Sequence, residues 1–369
     1  MTSSSEPGRT EIPIRAPSPV TVWGTGNVGR AAIAAVVADP RLELVGVIVS
    51  SPDKEGRDAA DLAGLDRSTG VLATRGVVTL AGSSAVVYAA SGDFRPDDAL
   101  TDIEACLRAG ASVVTPAVYP LYDPTTAPAA VRDRMLAAAR AGGSALFASG
   151  IDPGWGNDVL PVLLSGLCVG VREIRAQEIF DYSDYDAEAS VRDLVGFGHP
   201  LDYEPPMVAP TVPTMVWGGQ LRMMARALGL ELDEIVEHVD RLPLDADVDT
   251  RLGRFDRGTQ GALRFEVRGV VAGRERLVIE HVTRITSEVA PEWPQPPAGA
   301  DGAHRVIIDA TPRLEVTVEA IDTAGSRAGG GNATAATRLT AAIPWLVDAD
   351  PGLYDAFDVP LGPAVSWAE

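Results

Sequence analysis

Residues 20–36 read VTVWGTGNVGRAAIAAV, and the glycines at 24, 26 and 29 fall where the chain changes character. Before them, PVTVWG at 19–24 alternates small and β-branched residues as a short strand does. After them the run from Asn27 to Ala38 is alanine-rich, with no breaker beyond Gly29 until Pro40. A second apolar run, LELVGVIVSS at 42–51, holds enough Val, Leu and Ile to be buried on both faces of a parallel sheet. The pattern predicts a strand, a helix and a second strand, with the glycines in the first turn. There each glycine has a physical duty: Gly24 makes the tight turn, Gly26 lets a pyrophosphate approach the backbone, and Gly29 lets helix and strand close up. The helix start offers unpaired N–H groups to phosphate. Gly24, Thr25, Gly26, Asn27, Val28 and Gly29 are therefore expected to hold a dinucleotide.

The adenosine end of such a ligand is read just after the second strand, where an acidic residue normally selects the ribose diol of NAD. This chain places Ser50, Ser51, Asp53, Lys54 and Arg57 there. Serines and cations suit a 2′-phosphate, so NADP(H) is the expected cofactor. Asp53 leaves NAD(H) open as well.

The alternation continues with strands at 85–90, 111–115 and 144–149 and helices at 97–109 and 127–141, which predicts an α/β Rossmann fold, a doubly wound parallel sheet. Ligands lie beyond the carboxyl ends of such strands, which places Ala90, Ser91, Thr115, Pro116 and the stretch 150–157 near the nicotinamide. After Asn157 the pattern changes. A helix, a strand at 171–180, helical stretches near 187–195 and 208–228, and strands near 261–288 and 303–320 predict an α+β substrate domain on an open, mostly antiparallel sheet. A glycine-rich hinge, AGSRAGGGN at 324–332, precedes a helix with Asn332 as its cap, ending near Ile343 before Pro344. The expected organisation is a flexible leader at 1–18, a dinucleotide domain at 19–153 completed by 332–369, and a substrate domain at 154–331.

A formal net charge of −20 over 369 residues repels phosphate backbones and anionic lipid, so neither nucleic acid nor a membrane surface is the expected partner, and a small molecule is. The polar, proline-rich first 19 residues lack the apolar core of a signal peptide, and no later run is apolar enough to span a bilayer. Cys106 and Cys168 lie far apart and the four histidines are scattered, which suggests a reducing, cytoplasmic setting and no metal site. Among 31 basic residues Lys54 is the sole lysine, so no mechanism that needs a lysine elsewhere is open to this chain.

Three motifs, GTGNVGR at 24–30, GRDAADLAG at 56–64 and SGIDPG at 149–154, resemble the dihydrodipicolinate reductase-like superfamily. Within it, EIFDYSDY at 178–185 and AAIPWLVDADPG at 341–352 are most similar to bacterial native amine dehydrogenases and 2,4-diaminopentanoate dehydrogenase. The resemblance implies an NAD(P)-dependent oxidoreductase that interconverts ketones or aldehydes and amines, and a homodimer formed through the substrate domain. Dihydrodipicolinate reductases themselves carry a His-His-x-x-Lys-x-Asp segment that is absent here. The amine dehydrogenases carry a glutamate just beyond the parallel strand that corresponds to 111–115, whereas residues 113–120 read VVTPAVYP, with no carboxylate. That departure keeps two rivals in view: a carbonyl or imine reductase that does not use ammonia, and an NADP(H)-binding sensor without turnover.

With the glutamate missing, Asp152 is the nearest carboxylate on a strand end facing the cofactor, although Asp-Pro-Gly is also a good turn and Asp152 is equally placed to begin the next helix. Tyr119 stands where the glutamate is expected and is either an acid toward a carbonyl oxygen or a packing residue. Trp155, Asn157, Tyr182, Tyr185, Phe197, His199 and Trp217 are expected to form an apolar substrate pocket, with core packing the alternative for each. His199, in FGHP, is the histidine singled out for function. His238 reads as part of a charged helix, and His281 and His304 as surface or satisfied residues in strand-like runs.

Overall fold

The computed structural model describes residues 16–76, 80–92, 95–183, 185 and 187–364. Most of the expected leader lies outside them, and Ser18 already belongs to the first strand.

The first half alternates strictly. β1 (Ser18–Trp23), α1 (Asn27–Ala38), β2 (Leu42–Ile48), α2 (Ala59–Ala63), β3 (Ala73–Thr74), β4 (Ala85–Tyr88), α3 (Pro96–Arg108), β5 (Ser112–Thr115), α4 (Ala129–Gly142) and β6 (Ala145–Ala148) follow one another. The strands lie in the order β3-β2-β1-β4-β5-β6, all parallel, so the winding reverses between β1 and β4. Ligand crevices open at such a reversal. β2 is buried throughout only in its second half, since Glu43 and Val45 near its start face solvent at the margin of the sheet.

At the reversal the glycines pack as tightly as backbone allows. Gly24 has φ +101°, and a Cβ there would sit 2.7 Å from Ala90 N, just beyond β4. A Cβ on Gly29 would lie 2.0 Å from the Gly24 carbonyl oxygen. Only side chains of hydrogen let α1 start so close to the end of β1.

The GRDAADLAG block has a structural explanation. Asp58 caps α2 through Ala60 N–H at 2.7 Å and also accepts from the Ser68 hydroxyl and the N–H groups of Thr69 and Gly70. The Ser68 hydroxyl, then the Ala60 N–H, hold its carboxyl far below the usual range. One carboxylate thus ties the α2 cap to the loop that leads into β3.

The second half is built on α5 (Val159–Ser165), β7 (Val169–Asp181), α6 (Val212–Ala227), β8 (Glu234–Pro243), the short pair β9 (Val248–Thr250) and β10 (Gly253–Phe255), β11 (Gln260–Val271), β12 (Arg274–Arg284), β13 (Gly302–Thr311) and β14 (Leu314–Val318). Six of these strands form a sheet in the order β14-β13-β7-β12-β11-β8, antiparallel throughout except for β7 with β12. His238 lies on β8 and not in a helix. The spacing of Ile235, Val239 and Leu242 suits a helix, but register with β11 from Glu234 to Pro243 decides the conformation. On one face Trp217, Leu221 and Met224 of α6 join Leu263, Phe265 and Ile279 in a common apolar core.

The chain then returns. α7 (Arg327–Leu346) is capped by Ser326, whose hydroxyl accepts from Gly329 N–H at 3.0 Å; Asn332 instead lies inside the helix and donates to the Ala328 carbonyl. The helix also runs through Pro344, because Leu339, Ala342, Ile343 and Leu346 bury themselves in the core of the first sheet. β15 (Gly352–Tyr354) pairs in parallel with β6 as a seventh strand. Buried Asp123, beyond β5, receives Arg226 of α6 at 2.9 and 3.0 Å, and Arg226 also reaches Asp355 at 2.9 Å. Burial alone would raise the Asp123 carboxyl, but Arg226, Thr125 and Thr126 hold it below the usual range. Among the described residues no helix is long and apolar enough to cross a membrane.

Gly29→Ala forces backbone apart at the sheet reversal and is expected to lower stability by about 1–3 kcal/mol in urea unfolding. Gly26→Ala, with nothing within 4 Å of the added carbon, is expected to leave the same curve nearly unmoved.

Candidate active site

A cavity of about 750 Å³ opens at the carboxyl ends of β1, β4, β5 and β6. Gly24, Thr25, Gly26, Asn27, Val28, Ser50, Ser51, Lys54, Ala90, Ser91 and Pro116 line it. Gly29 is buried behind it, and Thr115 does not line it either, because its hydroxyl is spent on the Tyr88 carbonyl at 2.8 Å. Arg57 is exposed and lies outside the lining, held by its carbonyl to Ala73 N–H, whereas Arg95, just before α3, lines it.

The cradle fits a dinucleotide. Gly26 is the N-cap of α1, no side chain caps that end, and no acidic residue stands in its first turn, so its N–H groups remain for an anion. A Cβ at Gly26 would meet nothing within 4 Å, which is the space a pyrophosphate needs beside the backbone. Beyond β2, Lys54 Nζ donates to the Thr25 hydroxyl and carbonyl at 3.1 and 3.3 Å, while the Asp53 carboxylate accepts from the Ser51 hydroxyl.

At the other end stands Asp152. The chain leaves β6 in a compact turn closed by Trp155 N–H on the Gly150 carbonyl and by Gly154 N–H on Asn157 Oδ1 at 2.9 Å. Asp158, not Asp152, caps α5. The side chain of Asp152 is 3% exposed and lines the cavity. Its Oδ1 receives Trp217 Nε1 at 2.6 Å and Asn157 Nδ2 at 2.7 Å and lies 3.1 Å from His281 Nε2. No described group bonds Oδ2.

His281 is buried, with Nδ1 3.0 Å from Glu178 Oε2. Its ring lies flat on Phe265 at 4.6 Å and against Trp217 at 4.4 Å. Burial alone would lower its pKa, but the charge of Asp152, then Glu178, holds it at about 10. Reciprocally, burial would raise the Asp152 carboxyl, and the charge on His281 keeps it below the usual range. The ligand atoms of Asp152, Glu178 and His281 fall within 4.8 Å of one another, close enough for a metal ion. Each ring nitrogen faces a carboxylate, however, and Asp152 Oδ1 already takes two N–H donors, an arrangement that suits a clamped imidazolium.

The aromatic group separates into roles. Tyr119, Tyr122 and Tyr185 line the cavity, and Tyr182 stacks behind Tyr185 at 4.7 Å with Phe197 edge-on to it at 6.3 Å. Burial raises the Tyr182 phenol well above its ordinary value. Trp217 and Asn157 act on Asp152 from behind. Trp155 and His199 do not line the cavity: Trp155 packs between the two main cores, and His199 stacks on Tyr203 at 4.1 Å. The histidine beside the site is His281. In LVIEH the alternation puts it on one face with Leu277 and Ile279, and that inward polar residue was the available signal.

A Rossmann sheet with an open cradle at its reversal, joined to a second sheet that closes over a buried carboxylate, defines a nicotinamide-dependent oxidoreductase. The chain belongs to the 2,4-diaminopentanoate dehydrogenase family, whose C-terminal domain model matches residues 157–368. An amine dehydrogenase of Streptomyces virginiae is 63% identical over 347 residues, covering 93% of this chain and 96% of that protein. Among solved structures, the amine dehydrogenase from Mycobacterium smegmatis has a similar fold, with a TM-score of 0.75 over 95% of this chain and 98% of that one at 20% identity. A probable dehydrogenase from Thermotoga maritima shares it more loosely, with a TM-score of 0.55 over 92% of each chain at 14% identity. The protein is accordingly an NAD(P)-dependent oxidoreductase of the amine dehydrogenase type.

Gly26→Val fills the pyrophosphate space and is expected to abolish NADPH binding in a fluorescence titration while the protein stays folded. An unaltered Kd would remove the assignment of this cradle.

Proposed function

We propose that the protein catalyses reductive amination of a small to medium apolar ketone or aldehyde, and the reverse deamination, with Asp152 as the anion that holds the reacting nitrogen. The observation that carries this is that Asp152 is the one carboxylate among the described residues lining the cavity, with Oδ2 left unbonded. β5 and β6 are adjacent, so a carboxylate beyond β6 occupies the neighbouring place to the glutamate that residues 113–120 lack. Overall, a carbonyl, ammonium and NAD(P)H give an amine, water and NAD(P)⁺.

The nicotinamide supplies the hydride when bound. Asp152, kept acidic, is too weak a base to store a proton from ammonium, so its part is to accept N–H bonds from ammonium and from the iminium, whose positive charge it stabilises in a water-poor site. Ala117, Tyr119, Ile151, Pro153, Tyr185 and Ala187 supply an apolar wall, which supports an apolar substrate. Tyr119 is placed to hydrogen-bond a carbonyl oxygen or to pack against the ring. For the cofactor we favour NADP(H), supported by Ser50, Ser51 and Lys54 in the lining and by the engagement of Asp53 with Ser51.

The test follows NADPH and NADH oxidation over a panel of apolar ketones and aldehydes, with and without ammonium, and identifies the products. Ammonium-dependent formation of amine is expected, and Asp152→Asn is expected to lower its kcat about 10²–10³-fold with KM for NADPH unchanged. Alcohol formed equally without ammonium would make the protein a carbonyl reductase, and tight NADPH binding without product from any carbonyl would make it a sensor. Lys54→Ala is expected to weaken NADPH about tenfold more than NADH, and equal losses would remove the 2′-phosphate contact.

A further inference from the structure

Glu178 and His281 have no direct place in this reaction, yet both are set with care. In register across the second sheet run Val239, Phe265, His281, Glu178, His304 and Val318, one from each of β8, β11, β12, β7, β13 and β14. Residues paired in this way point to one side of a sheet, and that side carries α6, since Trp217 touches both Phe265 and His281. Glu178 thus stands between two histidines, and His281 reaches from it to Asp152.

A neutral imidazole has one N–H and one acceptor nitrogen. Both ring nitrogens of His281 face carboxylate oxygens, at 3.0 and 3.1 Å. A neutral ring would leave two buried carboxylate charges against an uncharged group, whereas an imidazolium sets a positive charge between them; the contact at Nε2 is an ion pair without hydrogen-bond geometry. The trio of two carboxylates and one imidazolium then carries a single net negative charge. Asp152 Oδ1 accepts from Trp217 and Asn157 and lies within ion-pair distance of His281, so the oxygen that no described group bonds is Oδ2, on the residue that lines the cavity. The other titratable groups close by are His304, Tyr182, Tyr185 and Asp158. Burial pushes the last of these up to about 7, so it is only partly ionised at neutral pH. The positive influence of His304 on Asp152 favours the anion further.

We infer that Glu178 and His281 are positioning residues: Glu178 locks His281 as an imidazolium, His281 locks Asp152 through Oδ1, and the net negative charge is presented at Oδ2 to a small cation, ammonium or a protonated imine, in preference to a neutral carbonyl. The inference rests on the reading of Asp152 above and adds to it the selection of a charged nitrogen.

The experiment uses the full chain saturated with NADP⁺, with isotope-labelled histidines observed by NMR and the His281 signal assigned by its loss in His281→Gln. In the wild type this signal is expected to stay protonated through neutral pH and titrate near pH 10, and methylammonium chloride is expected to bind and shift it. In Glu178→Gln, which keeps the size of the side chain, the titration is expected at least one pH unit lower and the Kd for methylammonium about tenfold weaker, with NADP⁺ affinity unchanged. A wild-type His281 that titrates near its ordinary value overturns the inference without any variant. Glu178→Gln with an unmoved titration or an unmoved methylammonium Kd overturns it too, and a purely structural Glu178 gives that result. Failure of the underlying reading looks different: Asp152→Asn would then keep full ammonium-dependent turnover, whatever His281 does.

Discussion

Everything at the Asp152 end of the cavity depends on one buried anion and the need to keep it company. A carboxylate taken out of water is tolerated only where hydrogen bonds and opposite charge replace its hydration. Asp152 gets its replacements from three parts of the chain: Asn157 in its own turn, Trp217 on α6 and His281 on β12. Two of the three belong to the second half of the chain, so satisfying one charge also docks the two halves of the molecule. The Asp123–Arg226–Asp355 clamp does the same farther from the cavity. The two halves are therefore registered by charge at two places, and the apolar cores on either side are left to fill space.

The first half was legible because its determinants are local. A strand, a glycine-spaced turn, a helix and a second strand lie within about thirty residues, a scale at which periodicity and turn chemistry speak directly. Gly24 and Gly29 behave as their spacing implied, and their contacts are between near neighbours in sequence. Asp152 was legible as a candidate from its place beyond β6, but not its burial or its partners.

The second half was legible in kind and obscure in detail. Its strands announced themselves, but the row that matters joins residues about one hundred apart, and no local pattern reveals that Glu178 pairs in register with His281 on one side and His304 on the other. His199 drew attention because FGHP looks like a loop with a purpose, yet its ring merely stacks on Tyr203. His238 follows the same rule: the helical spacing around it is real, and pairing with β11 overrides it. In each case a long-range partner supplied what the local sequence lacked.

The return of the chain has a consequence for its biosynthesis. Gly331, Asn332 and Ala335 of α7 form part of the cavity wall, and β15 adds the outermost strand beside β6. Both come after the whole of the second sheet. A nascent chain therefore makes its glycine turn about three hundred residues before the α7 segment that completes the cavity wall, and until α7 is synthesised the wall lacks Gly331, Asn332 and Ala335.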